Sequence, residues 1–142
     1  MYQKILVPLD GSAFAECSLD QVINLSQMGS IGEVILLNVL DPIMWCREGR
    51  DFVAFRNFQF TQAEKYLERI KARLGSEGIR VRSDISEGGM PASSIVQYAK
   101  ENGVDLIVIA SHGHTGMKKL MLGSVALEVL HDSHVPVLLI RP

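Results

Sequence analysis

Apolar runs alternate with amphipathic segments along the whole chain, and this alternation limits the fold more than any other feature of the sequence. The amphipathic segments have apolar residues three and four positions apart, a spacing that predicts helices. The apolar runs have the length and composition of strands, at positions 4–9, 33–40, 79–85, 104–109 and 135–140. Regular alternation of strand and helix predicts an α/β fold, a doubly wound five-stranded parallel sheet with helices on both faces.

The third strand differs from the others because its apolar and polar residues alternate from Ile79 to Ile85. Such alternation is typical of a half-exposed strand, so we expect it at an edge of the sheet. In open parallel sheets, ligands bind at the carboxyl ends of the strands, where the strand order reverses. With the order 3-2-1-4-5, strands one and four flank that point, and Asp10 and Gly113 then face one crevice.

The residues after the fourth apolar run have the character of an anion-binding loop. Ala110-Ser111-His112-Gly113 follows the run directly, and nine residues later Gly123-Ser124 opens an amphipathic helix. Glycine lets the backbone approach an anion closely, and free N–H groups at a helix N-terminus point at it. We therefore predict a nucleotide or another phosphorylated ligand, although neither a Walker A loop nor a GxGxxG motif is present.

Composition excludes several other classes of protein. A chain of 142 residues predicts one domain, 1–142, with a sizeable core, and a net charge of −2 gives no field that favours nucleic acid or an anionic membrane. The sequence shows no signal peptide and no run near the length of a membrane span, so we expect a cytoplasmic protein. Cys17 and Cys46 have no CxxC spacing, which predicts structural thiols in a reducing compartment, with Cys17 in the core.

The four histidines and the nucleophilic side chains form no recognisable catalytic or metal-binding set. His131 and His134 lie near the end of the last predicted helix, but no cysteine or carboxylate cluster accompanies them. We expect both on the surface. No arrangement of Ser, His and Asp for nucleophilic catalysis is readable either.

The motifs resemble those of the universal stress protein family over essentially the whole chain. The family's start is similar to Ile5-Leu6-Val7-Pro8-Leu9-Asp10-Gly11-Ser12, and its final strand to Pro136-Val137-Leu138-Leu139-Ile140. Its nucleotide motif, G-2x-G-9x-G-[ST], resembles the stretch from Ser111-His112-Gly113 through Gly123-Ser124-Val125. The resemblance implies a Rossmann-like fold of the adenine nucleotide alpha-hydrolase type.

For an ATP-binding member, the resemblance also implies a division of roles. Asp10 hydrogen-bonds the ribose or helps to hold Mg²⁺ or Mn²⁺, and Pro8 and Val39 line the adenine. Gly113, Gly123, Ser124 and the amides that follow surround the phosphates. The complete predicted nucleotide site is Pro8, Leu9, Asp10, Val39, Ile109, Ala110, His112, Gly113, Gly116, Gly123, Ser124, Val125 and Ala126.

One residue departs from the family's motif, because Ala110 stands where the first glycine is expected. Alanine adds a methyl group and disfavours positive φ, so we expect it to be tolerated if this backbone is extended. The leading prediction is an ATP-binding stress-response regulator with slow hydrolysis at most. The departure at Ala110 favours an alternative, a dimeric interaction protein that works without nucleotide. A small nucleotidyl- or phosphoryl-transferring enzyme is a third hypothesis.

The long connection from Asp41 to Phe60 is rich in aromatic and basic residues. It contains Trp45, four of the five phenylalanines and three arginines. A long connection with little pattern is often functional, and this one follows the strand that ends near Val39. We predict either a lid over the ligand or a surface that packs on the domain or on a neighbouring subunit.

The last strand predicts how two copies of the chain associate. No predicted element covers the outer edge of Val135–Ile140, and an apolar, unpaired edge favours association. A second copy pairing antiparallel with the same strand would form a closed, two-fold contact. The family resemblance also implies this homodimer.

Overall fold

Ten elements of secondary structure are present in the computed structural model, which describes residues 1–40, 52–112 and 122–141. The strands are β1 (Tyr2–Pro8), β2 (Ile31–Leu40), β3 (Arg80–Glu87), β4 (Leu106–Ala110) and β5 (Val137–Ile140). The helices are α1 (Ala13–Glu16), α2 (Ser18–Gln27), α3 (Phe52–Ser76), α4 (Pro91–Glu101) and α5 (Ser124–Asp132).

The five strands form one sheet in the order β3-β2-β1-β4-β5, and every neighbouring pair is parallel. The predicted fold class and strand order are therefore confirmed. The half-exposed strand β3 lies at an edge, as its alternating pattern predicts. The order reverses between β1 and β4, where Ile5 pairs with Leu106. This reversal creates the switch point at which open parallel sheets bind ligands.

Helices cover both faces of the sheet, and each face has its own apolar core. Along β1, Ile5 and Val7 belong to one core with residues of α2 and α3, whereas Leu6 belongs to the other with residues of α4 and α5. Successive side chains of a strand point to opposite faces, so a strand covered on both sides must be apolar at every position. Ile5, Leu6 and Val7 are accordingly all fully buried.

Hydrogen bonds at the amino end of the sheet hold β1 beside β4. The backbone N–H groups of Gln3 and Lys4 donate to the two carboxylate oxygens of Asp105, at 2.8 and 2.9 Å. The Lys4 ammonium donates to the carbonyl of Asn102 at 2.9 Å. Asp105 directly precedes β4, so these bonds hold together the two strands whose opposite ends flank the switch point.

Helix α3 corrects the prediction that Asp41–Phe60 is an irregular connection. Its residues from Phe52 onward are helical. The helix is supported from outside, because Phe55 and Phe60 pack with Leu40 and Ile85. The spacing of apolar residues within the segment could not reveal these contacts, because Leu40 lies in β2 and Ile85 in β3. Trp45 and the rest of 41–51 lie outside the described residues, so the lid hypothesis is untested there.

The amphipathic segment that follows β1 forms two helices, because Cys17 separates α1 from α2. Cys17 is half-buried, so its predicted place in the core is wrong. Burial, and secondly the neighbouring Asp20 carboxylate, raise the pKa of the Cys17 thiol. A raised pKa lowers the thiolate population and makes this cysteine less reactive. Cys46 lies outside the described residues.

Candidate functional site

A cleft of about 700 Å³ opens at the carboxyl end of the sheet, where the strand order reverses. Every predicted site residue that the structure describes lines this cleft: Pro8, Leu9, Asp10, Val39, Ile109, Ala110, His112, Gly123, Ser124, Val125 and Ala126. Gly113 and Gly116 lie outside the described residues. The structure thus brings together residues that are separated by more than half of the chain, and their binding role stays a prediction.

The loop after β1 places the Asp10 carboxylate at the cleft. The Leu9 N–H donates to the carbonyl of Leu37 at 2.8 Å, and the Asn38 side-chain amide donates to the carbonyl of Leu9 at 3.1 Å. These bonds fasten the end of β1 to β2. Gly11 then turns the chain with a φ of +87°, a conformation that disfavours other residues. The turn leaves Asp10 exposed, with one carboxylate oxygen 2.9 Å from the Ser12 N–H.

The start of α5 presents backbone N–H groups to the same cleft. Its N-cap is Gly123, which has no side chain to accept from the first-turn amides, and Val125 and Ala126 line the cleft. The Gly123 N–H itself donates to the carbonyl of Ser111 at 2.7 Å. A Cβ atom at position 123 would lie 3.0 Å from that carbonyl oxygen. Glycine therefore lets α5 approach the end of β4 closely, and a side chain here would require a small shift of the Ser111 carbonyl.

Ala110, the departure from the family's motif, lies within β4 and is buried. No residue other than glycine has a positive φ in the described part of the chain. The backbone at Ala110 is therefore extended, which is the condition under which we expect alanine to be tolerated. The methyl group therefore adds no backbone strain at the cleft.

One wall of the cleft comes from α3, which the sequence reasoning missed. Gln59, Gln62, Ala63 and Tyr66 line it, and their spacing of three and four residues places them on one helix face. In the sequence, apolar residues three and four positions apart predict that this face of the helix only packs on the core: Phe60, Ala63, Leu67, Ile70 and Leu74. The polar side chains of Gln59 and Gln62 beside Ala63 were the signal that part of this face lines a cleft. Other missed lining residues are Gly11, Ala15, Leu37, Asn38, Leu40, Pro91, Ile95 and Ser111.

Tyr66 differs from the other residues of this wall because its surroundings raise the pKa of its hydroxyl. Burial is the largest cause of a raised pKa for the Tyr66 phenol, and the carboxylates of Glu16 and Asp10 act in the same direction. Arg69, whose guanidinium carbon lies 5.4 Å from the centre of the Tyr66 ring, opposes this shift. An ordinary tyrosine is already neutral at physiological pH, and the raised pKa extends this neutral form of Tyr66 to more alkaline pH.

The cleft fits a metal ion only together with a ligand that supplies more oxygen atoms. Across residues 1–40, 52–112 and 122–141, no group of three or more His, Cys, Asp or Glu side chains could hold an ion. Asp10 alone brings a carboxylate to the cleft in the described residues. Mg²⁺ is commonly held by one or two carboxylates plus substrate phosphates and water, so Asp10 is compatible with a phosphate-bound metal.

A doubly wound parallel sheet with a cleft at its switch point defines a Rossmann-like α/β protein. Comparison with known proteins specifies the family. The sequence profile of the Universal stress protein family matches residues 1–141, and the chain belongs to this family. The resemblance seen in the motifs is therefore confirmed.

Two curated relatives match over nearly their whole length. The universal stress protein MJ0577 of Methanocaldococcus jannaschii is 35% identical over 161 residues, covering 99% of this chain and 96% of the relative. Universal stress protein YxiE of Bacillus subtilis is 34% identical, covering 99% and 100% of the two chains.

Solved structures support the same assignment. The structure of MJ0577 superposes with a TM-score of 0.89 at 36% identity, covering 100% of this chain and 97% of that one. An Arabidopsis thaliana family protein, solved with AMP bound, shares the fold with a TM-score of 0.68 at 18% identity, covering 98% and 91%. Among the described helices, none is both long and apolar enough to cross a membrane.

Proposed function

We propose that this universal stress protein binds ATP, or a related adenine nucleotide, in the cleft at the switch point and acts as a stress-response regulator in the cytoplasm. The observation that carries the proposal is the meeting of two features in one cleft of about 700 Å³. Apolar side chains from β1, β2 and β4 form one part, and the uncapped start of α5 forms another. The first suits a base and the second suits phosphates.

Each part of a nucleotide has a partner of suitable chemistry among the lining residues. Val39, Pro8 and Ile109 offer apolar surface to the adenine, and Asp10 offers an acceptor to the ribose hydroxyls. The amides at the start of α5 offer donors to the phosphates. Mg²⁺ or Mn²⁺ would bridge phosphate oxygens, with Asp10 as its protein ligand. The AMP found in the Arabidopsis protein is a ligand of the same chemical class.

We expect binding with slow hydrolysis at most. Efficient phosphoryl transfer needs a positioned water and a residue that orients it, together with cations on the transferred group. Among the described lining residues there is neither lysine nor arginine. A regulator that reports nucleotide level by binding requires no turnover. Products accumulating at a rate typical of enzymes would instead favour the transferase hypothesis.

Titration calorimetry with ATP and Mg²⁺ tests the proposal. We expect saturable binding and a thermal shift, because the cleft offers apolar surface to a base and helix amides to phosphates. Native mass spectrometry of freshly purified protein should also detect bound adenine nucleotide. The absence of heat and of a thermal shift at millimolar ATP would contradict nucleotide binding and favour the interaction protein.

We also propose that the protein is a homodimer paired through the segment Val135–Ile140. Strand β5 lies at an edge of the sheet, and all four of its residues are half-buried. Its apolar side chains pack on the two cores, while its outer backbone edge is left for a second copy. The presence of this apolar edge strand favours a protein that works by binding a second copy of the chain, with or without nucleotide.

A further inference from the structure

We propose that the Ser111 hydroxyl holds the His112 imidazole in its Nε2–H tautomer, and that this N–H donates to a phosphate oxygen of the ligand. The inference rests on the proposed nucleotide site and deepens it. It assigns a phosphate donor, His112, and a positioning residue, Ser111, which acts through that histidine. Neither role follows from the glycines and the helix N-terminus of the site.

Hydrogen bonds to β5, to the N-cap residue of α5 and to the neighbouring His112 hold Ser111 in place. Its N–H donates to the carbonyl of Ile140 in β5 at 2.8 Å, and its carbonyl accepts from the Gly123 N–H at 2.7 Å. Its Oγ lies 2.9 Å from Nδ1 of His112. With 1% of its surface exposed, Ser111 has little freedom to change its rotamer. The position of its hydroxyl is therefore set by the junction of β4, β5 and α5.

The direction of the Ser111–His112 hydrogen bond follows from the needs of a buried hydroxyl. His112 Nδ1 is the hydrogen-bond partner of Ser111 Oγ among the described residues. If Nδ1–H donated to Oγ, the serine proton would be left without an acceptor among the described residues. Buried donors without partners are rarer and more costly than acceptors with unused lone pairs. The hydroxyl therefore donates to Nδ1, and the imidazole proton resides on Nε2.

The Nε2–H of His112 is then the donor that we assign to a ligand oxygen. Nε2 is buried and has no hydrogen-bond partner in the described part of the chain, although His112 lines the cleft. The backbone of His112 is also next to the start of α5, since a Cβ at Gly123 would lie 3.6 Å from the His112 Cα atom, and both His112 and Ser124 line the cleft. A donor beside uncapped helix amides suits an anionic oxygen more than the edge of a base.

The tautomer can be measured without any nucleotide. Long-range ¹H–¹⁵N NMR spectra, recorded above the ordinary imidazole pKa of about 6.5, distinguish the two neutral forms of each histidine. We expect the Nε2–H form for His112, with its signals identified by their loss in His112→Gln. Ser111→Ala should weaken this preference to that of a free imidazole and leave a larger share of the Nδ1–H form, while the fold persists because the other two bonds of Ser111 are made by backbone atoms. A proton on Nδ1 in the wild type would overturn the proposal.

The role toward phosphate is tested by comparing ATP with adenosine, which contains no phosphate. His112→Gln keeps an N–H donor near the Nε2 position, whereas His112→Asn places its amide near Nδ1 and serves as the matched control. We expect His112→Asn and His112→Ala to weaken ATP binding by about tenfold to hundredfold and to leave adenosine binding unchanged. His112→Gln should retain most of the ATP affinity. Equal losses for ATP and adenosine would overturn the phosphate role.

A third probe separates failure of this inference from failure of the proposed function. Tripolyphosphate has no base, so it reports on the phosphate donors alone. We expect it to shift the His112 Nε2–H signal in the wild type, even if adenine binding were to fail. A protein that binds ATP without any change at His112 would overturn the inference and leave the proposed function standing.

Discussion

At the end of β1, one carboxylate can serve either the local turn or a ligand, and the two roles predict different effects of mutation. Asp10 accepts from the Ser12 N–H at 2.9 Å, and Ser12 in turn caps α1 by accepting from the Ala15 N–H at 3.1 Å. Asp10 is exposed at the cleft, which a turn residue does not require. Asp10 therefore lies where it could also reach the proposed ligand, and mutation distinguishes the two roles.

Replacing Asp10 with alanine should weaken ATP binding by about tenfold to hundredfold, as expected for one charge-assisted hydrogen bond. The matched control is Ser12→Ala, which removes a helix cap and should lower stability by about 0.5–2 kcal/mol with little change in ATP affinity. Calorimetry and urea unfolding measure the two effects. If Asp10→Ala behaves like Ser12→Ala, with lower stability and intact affinity, Asp10 is only a turn residue.

A second prediction concerns Gly32, where the space between β1 and β2 demands a glycine. A Cβ atom there would lie 2.6 Å from the backbone carbonyl oxygen of Gln3, which is too close for any real contact. We expect Gly32→Ala to destabilise the protein by about 1–3 kcal/mol. At Gly75, inside α3, an added Cβ atom would meet open space. Gly75→Ala should instead be neutral or stabilise by up to about 1 kcal/mol.

Urea unfolding of the two alanine variants gives the comparison directly. The pair controls for the general effect of replacing glycine on the unfolded chain, since both changes remove the same backbone freedom. Equal stability of the two variants would show that the backbone of β1 moves aside at Gln3 without cost.

At the scale of the element, the length of α3 explains why it reaches the cleft. Its 25 residues span about 37 Å at a rise of 1.5 Å per residue, whereas the 8 residues of β3 span only about 26 Å. The helix therefore extends beyond the strands, and its amino-terminal half becomes a wall of the cleft. Arg56 holds this extension to the end of β3 through bonds of 2.9 and 2.5 Å to one carboxylate oxygen of Glu87.

Breaking the Arg56–Glu87 ion pair should loosen the start of α3. An ion pair of this exposure contributes up to about 1 kcal/mol, or about a fivefold change in local opening. We expect Arg56→Ala to speed proteolysis between Val53 and Gln59, and saturating ATP to slow it. The control is Arg73→Ala, which removes an ion pair of 3.0 Å to Asp20 near the other end of α3.

Limited proteolysis followed by mass spectrometry locates the cuts in both variants. Equal rates for Arg56→Ala and Arg73→Ala would show that the ion pair does not anchor the helix start. Equal rates with and without ATP would leave this segment a packing surface with no contact to the ligand.

At the scale of the whole molecule, β5 forms one edge of the sheet. Its pairing with β4 shows which of its backbone groups point outward. The carbonyls of Pro136 and Ile140 accept from β4, through the N–H groups of Ile107 and Ser111. Since hydrogen-bonding groups alternate along a strand, the N–H and C=O groups of Val137 and Leu139 point outward. Ser111 thus connects this edge directly to the cleft. A partner copy would meet a strand whose end is joined to the nucleotide site.

Sedimentation equilibrium at micromolar concentration should give twice the 15.7 kDa mass of the chain. In the same sample, hydrogen exchange of the Val137 and Leu139 amides should be slow, and it should speed up on dilution. Leu139→Lys should give a monomer by placing a charge in the apolar contact, with Val53→Lys on the exposed side of α3 as the control. A wild-type mass near one chain would contradict the dimer. Fast exchange of these amides in a dimer would place the interface elsewhere.

The local spacing of apolar residues in the sequence was sufficient to predict the strands and the α/β class of the fold. Five apolar runs, with the alternation at Ile79–Ile85, were sufficient for a parallel sheet with an exposed edge, because burial on two faces requires apolar residues at every position. The loops after the first and fourth runs indicated the cleft, since parallel strands bring their carboxyl ends to one side of the sheet. These features depend on residues close together in the chain, and a single sequence displays them.

Contacts between distant residues were decided only by the tertiary structure. The start of α3 depends on packing against Leu40 and Ile85 and on Glu87, which is 31 residues from Arg56. The tautomer that we infer for His112 depends on a serine held by β5 and α5, and the need for glycine at position 32 depends on the carbonyl of Gln3. No periodicity encodes such contacts, because each arises where two elements meet and is set by their relative position in space.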